Sequence, residues 1–237
     1  MIENKNRLWA IIAAAGIGRR MQSSIPKQYM NLAGRFIIDI TIERILSYSR
    51  IHKVFVVLAE DDKFWETSEF FGDPRIERVI GGSERYLSVL NALEKIKGIS
   101  RSNDWVLVHD AVRPCILKTD IEKLIIEVEK FNIGGLLGIP VNDTMKNVSP
   151  SQNVINTVER EGLWRALTPQ IFQFNILHKA LQSTVNQNLS FTDEASAVES
   201  LGEKPIVVEG RSDNIKITHP EDIQLAEFYI LQQEKGR

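Results

Sequence analysis

LWAIIAAAGIGRRMQSSIPK, Leu8 to Lys27, decides how the rest of the chain is read. An apolar run from Leu8 to Ala15 feeds a Gly-x-Gly turn at Gly16 and Gly18, two arginines follow at Arg19 and Arg20, and Lys27 comes behind Pro26. Apolar residues bounded by a glycine turn read as a buried strand. Glycine lets backbone N–H groups approach an anion closely, and the cations supply charge where phosphate oxygens would lie. The spacing does not match the P-loop, which ends in Gly-Lys-Ser/Thr. It also falls short of the dinucleotide fingerprint, since Met21 stands where a third glycine belongs. A strand-to-helix turn with solvated arginines would produce the same G-x-G. Arg20 and Lys27, the latter held by the fixed backbone of Pro26, favour a cradle for a nucleoside triphosphate.

Composition sets the outer bounds. The 237 residues are 43% hydrophobic and 25% charged, an ordinary balance for one substantial core. A formal net charge of -2 gives no electrostatic reason to expect nucleic acid as a partner. One cysteine, Cys115, excludes an intrachain disulfide and suits a reducing compartment. No apolar run approaches the ~18 residues of a membrane span, and the polar start MIENKNR lacks a secretory segment. The expected setting is cytoplasmic, with no membrane partner.

Beyond the opening loop, Phe36–Tyr48 carries Ile38, Ile42, Ile45 and Leu46 at helical spacing. Val54–Ala59 reads as a strand, Asp61–Phe71 as a short helix and Ile76–Ile80 as a strand entering Gly81 and Gly82. Ser83 is expected to cap a helix bearing Tyr86, Val89, Leu90, Leu93 and Ile96 on one stripe. Trp105–His109 is a further strand, Ile121 to Val128 a helix, and Gly134–Val141 a strand. This alternation predicts an α/β fold, a doubly wound and mostly parallel sheet covered on both faces. Ligand groups then collect in loops beyond the carboxyl ends of strands. Residues 142–161 break the rhythm. Val148 and then Val154, Asn156 and Val158 flank the turn sequence SPSQN, which predicts an inserted β-hairpin arm, folded back or clasping a second subunit. After Leu163 the expected elements are a helix near Phe174–Val185, a helix started by Thr192 or Asp193 and stopped at Gly202, strands at Pro205–Glu209 and Asn214–Ile217, and a last helix from Pro220. The whole chain, 1–237, is expected to be one domain.

Three loops concentrate polar chemistry. Gly16–Lys27 is the first. The second, GGSERYLSV, offers Gly82 for close approach, with Arg85 and Ser88 three residues apart on one helix face. In the third, HDAVRP, Asp110 follows a buried strand where it can accept ribose hydroxyls or help hold a metal, and Arg113 presents a planar fork to phosphate. One aspartate can suffice for magnesium, which keeps waters and takes oxygens from the nucleotide. His109 at the strand end reads as structural before it reads as a base. Thr144, Lys146 and Arg160 fall on the arm, where charges usually face solvent; Asp193 and Glu194 most simply open their helix; Asp213 and Lys216 bracket a short apolar stretch.

The blocks AAAGIGRRM (13–21), PKQY (26–29), GGSERYLSV (81–89), HDAVRP (109–114), DTMK (143–146), TVEREGLWRALTPQ (157–170), TDEASAVE (192–199) and EGRSDNIKIT (209–218) run across almost the whole chain. In them the sequence resembles the 2-C-methyl-D-erythritol 4-phosphate cytidylyltransferase family of the non-mevalonate isoprenoid pathway. The resemblance implies a Rossmann-like nucleotidyltransferase core and a homodimer with an exchanged arm. The implied reaction joins CTP to methylerythritol phosphate with Mg2+ or another divalent cation, giving 4-diphosphocytidyl-2-C-methyl-D-erythritol and pyrophosphate. It implies that Arg20 and Lys27 stabilise the transition state, with Lys216 and Arg160 also in catalytic positions. Ala14, Ala15, Gly16, Gly18 and Arg19 would wrap the triphosphate, and Gly82, Arg85 and Ser88 would hold the cytidine. Asp110 would serve ribose and metal, and Arg113, Asp213 and Lys216 the acceptor. Thr144 and Arg160 would reach the acceptor from the second subunit's arm. Ala13 stands where many members have proline, and Val112 where alanine is frequent. Ribitol 5-phosphate cytidylyltransferases often carry that valine, so another polyol phosphate is the alternative acceptor. A non-catalytic nucleotide sensor and a nicotinamide oxidoreductase are the remaining alternatives.

Overall fold

A computed structural model of the chain describes residues 6–16, 25–187 and 191–235. The chain runs from β1 (Leu8–Ala13) through a short hairpin, β2 (Asn31–Leu32) and β3 (Arg35–Phe36), into α1 (Ile37–Leu46). Then come β4 (Ile51–Leu58), β5 (Ile76–Ile80), α2 (Arg85–Lys97), β6 (Trp105–Asp110), α3 (Lys118–Phe131) and β7 (Gly134–Pro140). Two arm strands, β8 (Met145–Val148) and β9 (Val154–Val158), precede β10 (Trp164–Gln173), α4 (Phe174–Asn186), α5 (Glu194–Glu199), β11 (Ile206–Glu209) and α6 (Glu221–Lys235).

The central sheet has the order β11-β7-β10-β6-β1-β4-β5. All of its strands are parallel except β10, which runs antiparallel to β6 and β7. The unbroken apolar run of β1 follows from cover on both faces. Leu8, Ala10 and Ile12 pack with Ile38, Ile42 and Ile45 of α1 and with Ile121, Leu124 and Val128 of α3. Trp9 and Ile11 turn to the other layer, against Val89, Leu93 and Ile96 of α2 and Leu177 and Leu181 of α4. Alternate residues of a strand point to opposite faces, so both sets must be apolar here. At the start of β7, Gly134 has φ +137°, and a Cβ there would lie 2.3 Å from the Phe172 ring, so the close approach of β10 requires glycine.

Several expectations are corrected. The stretch after Leu163 is a ten-residue strand of the central sheet, β10, and not a connection to the following helix. Asn214–Ile217 is not a strand; it is irregular chain tied to the body by single hydrogen bonds. Asp61–Phe71 holds only one 3-10 turn, Trp65–Thr67. Helix α2 begins at Arg85 with Glu84 at its N-cap and no side-chain cap bond, so Ser83 does not cap it. Asp110 is the last residue of β6 and does not follow it. The arm is a hairpin as expected, with Met145 opposite Val158 and Asn147 opposite Asn156.

Candidate active site

The sheet order reverses at β1: the next strand, β4, lies on one side, and β6, reached later, on the other. Open α/β sheets bind ligands in the crevice at such a switch point. Here the ends of the two strands are level, with Ala13 paired to Asp110. A hollow of about 190 Å³ opens beside them, lined by Ala14, Ala15, Gly16, Lys27, Gly82, Arg85, Ser88, Asp110 and Lys216. Residues from every one of the three sequence-predicted loops therefore meet at one place. The Gln28 amide donates to the Ala14 carbonyl at 2.8 Å and fixes the Lys27 turn against the β1 loop. At Gly81 a Cβ would come 2.5 Å from that of Ala15, so the second loop can close on the first only without a side chain there. A second hollow of about 200 Å³, lined by Arg113, Thr168, Gln170 and Asp193, shares Arg85, Asp110 and Lys216 with the first.

Asp110 stands on the seam between the two hollows, ringed by cations. Arg85 Nη2 is 3.4 Å from Oδ1, while Arg113 Nε and Lys216 Nζ are 3.2 and 3.0 Å from Oδ2. Burial alone would raise the pKa of this carboxyl. The charges of Arg85, Lys216 and Arg113 reverse that effect and hold it well below the usual carboxylate range. Burial draws the Arg113 pKa down in turn, opposed by its pairing with Asp110. Lys216 is held by its neighbours in the irregular 214–217 segment. Arg113 Nη1 donates to the Asn214 carbonyl (2.8 Å), the Asn214 amide to the Thr168 carbonyl (2.8 Å), and Ile217 N–H to the Val112 carbonyl (2.9 Å).

His109 is structural. Its Nε2 faces the Arg113 carbonyl at 3.1 Å, and a carbonyl only accepts, so the proton of the neutral ring is on Nε2. Nδ1 then accepts from the Thr168 hydroxyl at 3.0 Å, and that oxygen accepts the Asp110 N–H at 3.2 Å. Burial lowers the His109 pKa to about 4, which keeps the ring neutral at physiological pH. It ties the third loop to β10 and offers nothing to a substrate. Cys115 is likewise buried, its thiol pKa pushed up to about 12 by burial, so it is no nucleophile at neutral pH.

Asp213 is not brought to the cluster. Its carboxylate pairs with Arg211 and accepts from Gln233, in a separate hollow lined by Ser47, Leu117 and Tyr229. Thr144 and Arg160 are exposed on the arm and line neither hollow at Asp110; Arg160 donates to the Asn142 carbonyl. Gly18, Arg19 and Arg20 lie outside the described residues. Among the described residues no three His, Cys, Asp or Glu side chains gather to hold a metal. Sequence reading missed Thr168, Gln170, Asn214 and the contact of Glu194 with Arg85, all of which join segments far apart in the chain.

Comparison with known proteins shows the family. A family model described as 2-C-methyl-D-erythritol 4-phosphate cytidylyltransferase (IspD) matches residues 8–232. The chain belongs to that family. The cytidylyltransferase of Aliivibrio fischeri (strain ATCC 700601 / ES114) is 47% identical over 226 residues, 95% of this chain and 94% of its own. That of Vibrio vulnificus (strain CMCP6) is 46% identical over 237 residues and the full length of both chains. The crystal structure of the Francisella tularensis cytidylyltransferase aligns with a TM-score of 0.84 at 36% identity, covering 94% of this chain and 99% of that one. These cytidylyltransferase matches do not favour the ribitol alternative, and they identify the doubly wound core as the family's nucleotidyltransferase fold.

Proposed function

We propose that the paired hollows are the active site of a CTP-dependent cytidylyltransferase that joins CTP and 2-C-methyl-D-erythritol 4-phosphate, with release of pyrophosphate. The observation that carries this reading is Asp110 on the seam, with Lys27 and the β1 loop on one side and Arg113 and Thr168 on the other. The triphosphate lies along Ala14–Gly16 and Lys27, and the acceptor phosphate beside Arg113 and Lys216. A phosphate monoester with a second pKa near ~6 is largely dianionic at neutral pH. Its oxygen attacks the α-phosphorus directly and in line, pyrophosphate leaves from the opposite face, and no general base is needed. That suits a site whose histidine is buried and neutral. The protein aligns two anions that repel each other and neutralises charge that builds on the α-phosphoryl group and the leaving group.

The donor set fits a magnesium ion brought with the nucleotide. Asp110 is a hard oxygen ligand, ionised and at the edge of the triphosphate hollow, and a magnesium ion needs few ligands from the protein itself. Asp110 would hold it, and it would supply neutralisation of the charge on the phosphates. The deciding assay measures pyrophosphate release over a matrix of nucleoside triphosphates and polyol phosphates, with magnesium present or chelated. Release only with CTP, methylerythritol phosphate and metal together supports the reading. CTP binding with no acceptor-dependent release would overturn it in favour of a nucleotide sensor.

The arm makes the working unit a homodimer in this proposal. Met145, Val148, Val154 and Ile155 are exposed apolar residues on a two-stranded element that is marginal alone. A second copy would cover them and receive Thr144 and Arg160 beside its acceptor phosphate. Arg160→Ala is expected to raise the acceptor KM more than tenfold and leave the nucleotide KM unchanged. Mixed dimers decide the route: Arg160→Ala subunits paired with Lys27→Ala subunits should recover one intact site of the two. Dimers with no recovered activity would show that each arm serves its own chain. No helix among the described residues is long and apolar enough to cross a membrane, and the reading sets the enzyme in the cytoplasm.

A further inference from the structure

Helix α5 lies behind the cavity and contributes no lining atom of its own, yet its first residue, Glu194, is 1% exposed and reaches the site through one partner. Arg85 spans two carboxylates: Nη1 donates to Glu194 Oε1 at 2.5 Å and Nη2 to Asp110 Oδ1 at 3.4 Å. The second oxygen of Glu194 has no hydrogen-bond partner among the described residues. Its base is rigid. Gln170 on β10 accepts the Ala195 N–H at 2.8 Å and donates to Asp193 at 2.9 Å, and Asp193 caps the helix through Ser196 N–H at 3.0 Å. A buried carboxylate costs a great deal of free energy unless it is paired, and here its ion pair is Arg85.

We propose that Glu194 is a positioning residue of the active site, acting through Arg85: it cancels that charge and fixes the guanidinium so that it braces Asp110 and does not grip phosphate. This rests on the reading of the Asp110 cavity as the catalytic site. Around the two hollows stand Lys27, Arg85, Arg113 and Lys216 against Asp110, Glu84 and Asp193, with Glu194 paired to Arg85 from behind. Loss of the Glu194 charge shifts this balance by one unit toward positive and leaves the Arg85 charge uncancelled beside the triphosphate. Such a charge attracts the bound nucleotide and the transition state alike, which tightens binding without helping turnover. Without the charge-assisted bond from Glu194, Arg85 also no longer presents its guanidinium to Asp110 in one fixed orientation, which costs turnover.

The test is steady-state kinetics of Glu194→Gln, which keeps an acceptor for Arg85 and removes the charge, in the wild-type and Arg85→Gln backgrounds, with thermal melts to verify folding. The expected result is a kcat at least tenfold lower with a nucleotide KM unchanged or reduced, and less than a twofold further effect in the Arg85→Gln background. A kcat within twofold of wild type, a raised nucleotide KM, or an equal loss in both backgrounds would overturn the proposal. Should Glu194→Gln not fold, Glu194→Asp replaces it, retaining charge and shortening reach. A kcat lowered at least threefold and lost coupling to Arg85 then support the proposal, and wild-type kinetics overturn it. Lys27→Ala separates the two levels. If it is inactive while Glu194→Gln is unaltered, only the role of Glu194 fails; if it keeps wild-type turnover, the assignment of the cavity itself fails.

Discussion

Lys27→Ala is expected to lower kcat by about 10²–10³-fold, the cost of deleting one preorganised charge donor at a transition state, while the nucleotide KM changes by less than about fivefold. Pro26 sets the backbone ahead of the lysine at φ -58°, a single 3-10 turn follows at Lys27–Tyr29, and Gln28 ties that turn to the β1 loop. The buried Tyr29 ring stacks on Phe64 with centroids 5.2 Å apart and anchors the far end. The ammonium is thus presented from a fixed base at the cavity wall. Charge on the α-phosphoryl oxygens and leaving group grows in the transition state, so a fixed cation there acts more on turnover than on ground-state affinity. Binding of CTP to the variant, followed by titration, separates the two quantities. A kcat within threefold of wild type would remove Lys27 from the mechanism and with it the assignment of this cavity. Arg20 lies outside the described residues, and the family resemblance alone makes the same expectation for Arg20→Ala.

The core was legible because its elements are locally written. β1, β5 and α2 each carry their pattern in one continuous segment, and apolar strands ending in glycine or aspartate announce where the loops will gather. β10 was hidden by its own composition. Pro169, Thr168 and Gln170 interrupt the alternation, and a proline inside a central strand argues against a strand at all. The structure resolves the conflict at the register shift between Ala166 and Gln170, where pairing with β7 is interrupted and the missing N–H of Pro169 breaks no ladder bond. Those same polar residues then serve the site from the middle of a strand. Glu194 was hidden differently. Read locally, it opens a six-residue helix; its partner Arg85 is 109 residues earlier, and no period in the sequence connects them. Asp213 shows the opposite error. Three residues from Lys216, it faces another hollow, because the irregular chain between them does not keep both side chains on one side.

Asp110→Asn is expected to abolish turnover and also to destabilise the fold by about 3–5 kcal/mol, the usual cost of breaking a buried ion pair from one side. Arg113 is 8% exposed and Asp110 6%, and the carboxylate is the group that reconciles Arg113, Arg85 and Lys216 with one another. An amide keeps the shape and one acceptor but leaves Arg113 and Lys216 uncompensated, while Arg85 retains only its pair with Glu194. The pH dependence identifies the cause. The folded-state pKa of Asp110 is depressed below its ordinary 3.8, so the stabilisation is fully present above that value and is lost as pH falls through the lower, folded one. Urea melts of both proteins, in EDTA so that no cation competes, should therefore show a constant stability gap from pH 7 down to about 4 that narrows below it. A gap below about 1 kcal/mol at pH 7 would mean that solvent, not Asp110, screens the three cations, and a gap that closed between pH 7 and 5 would assign the effect to a different group.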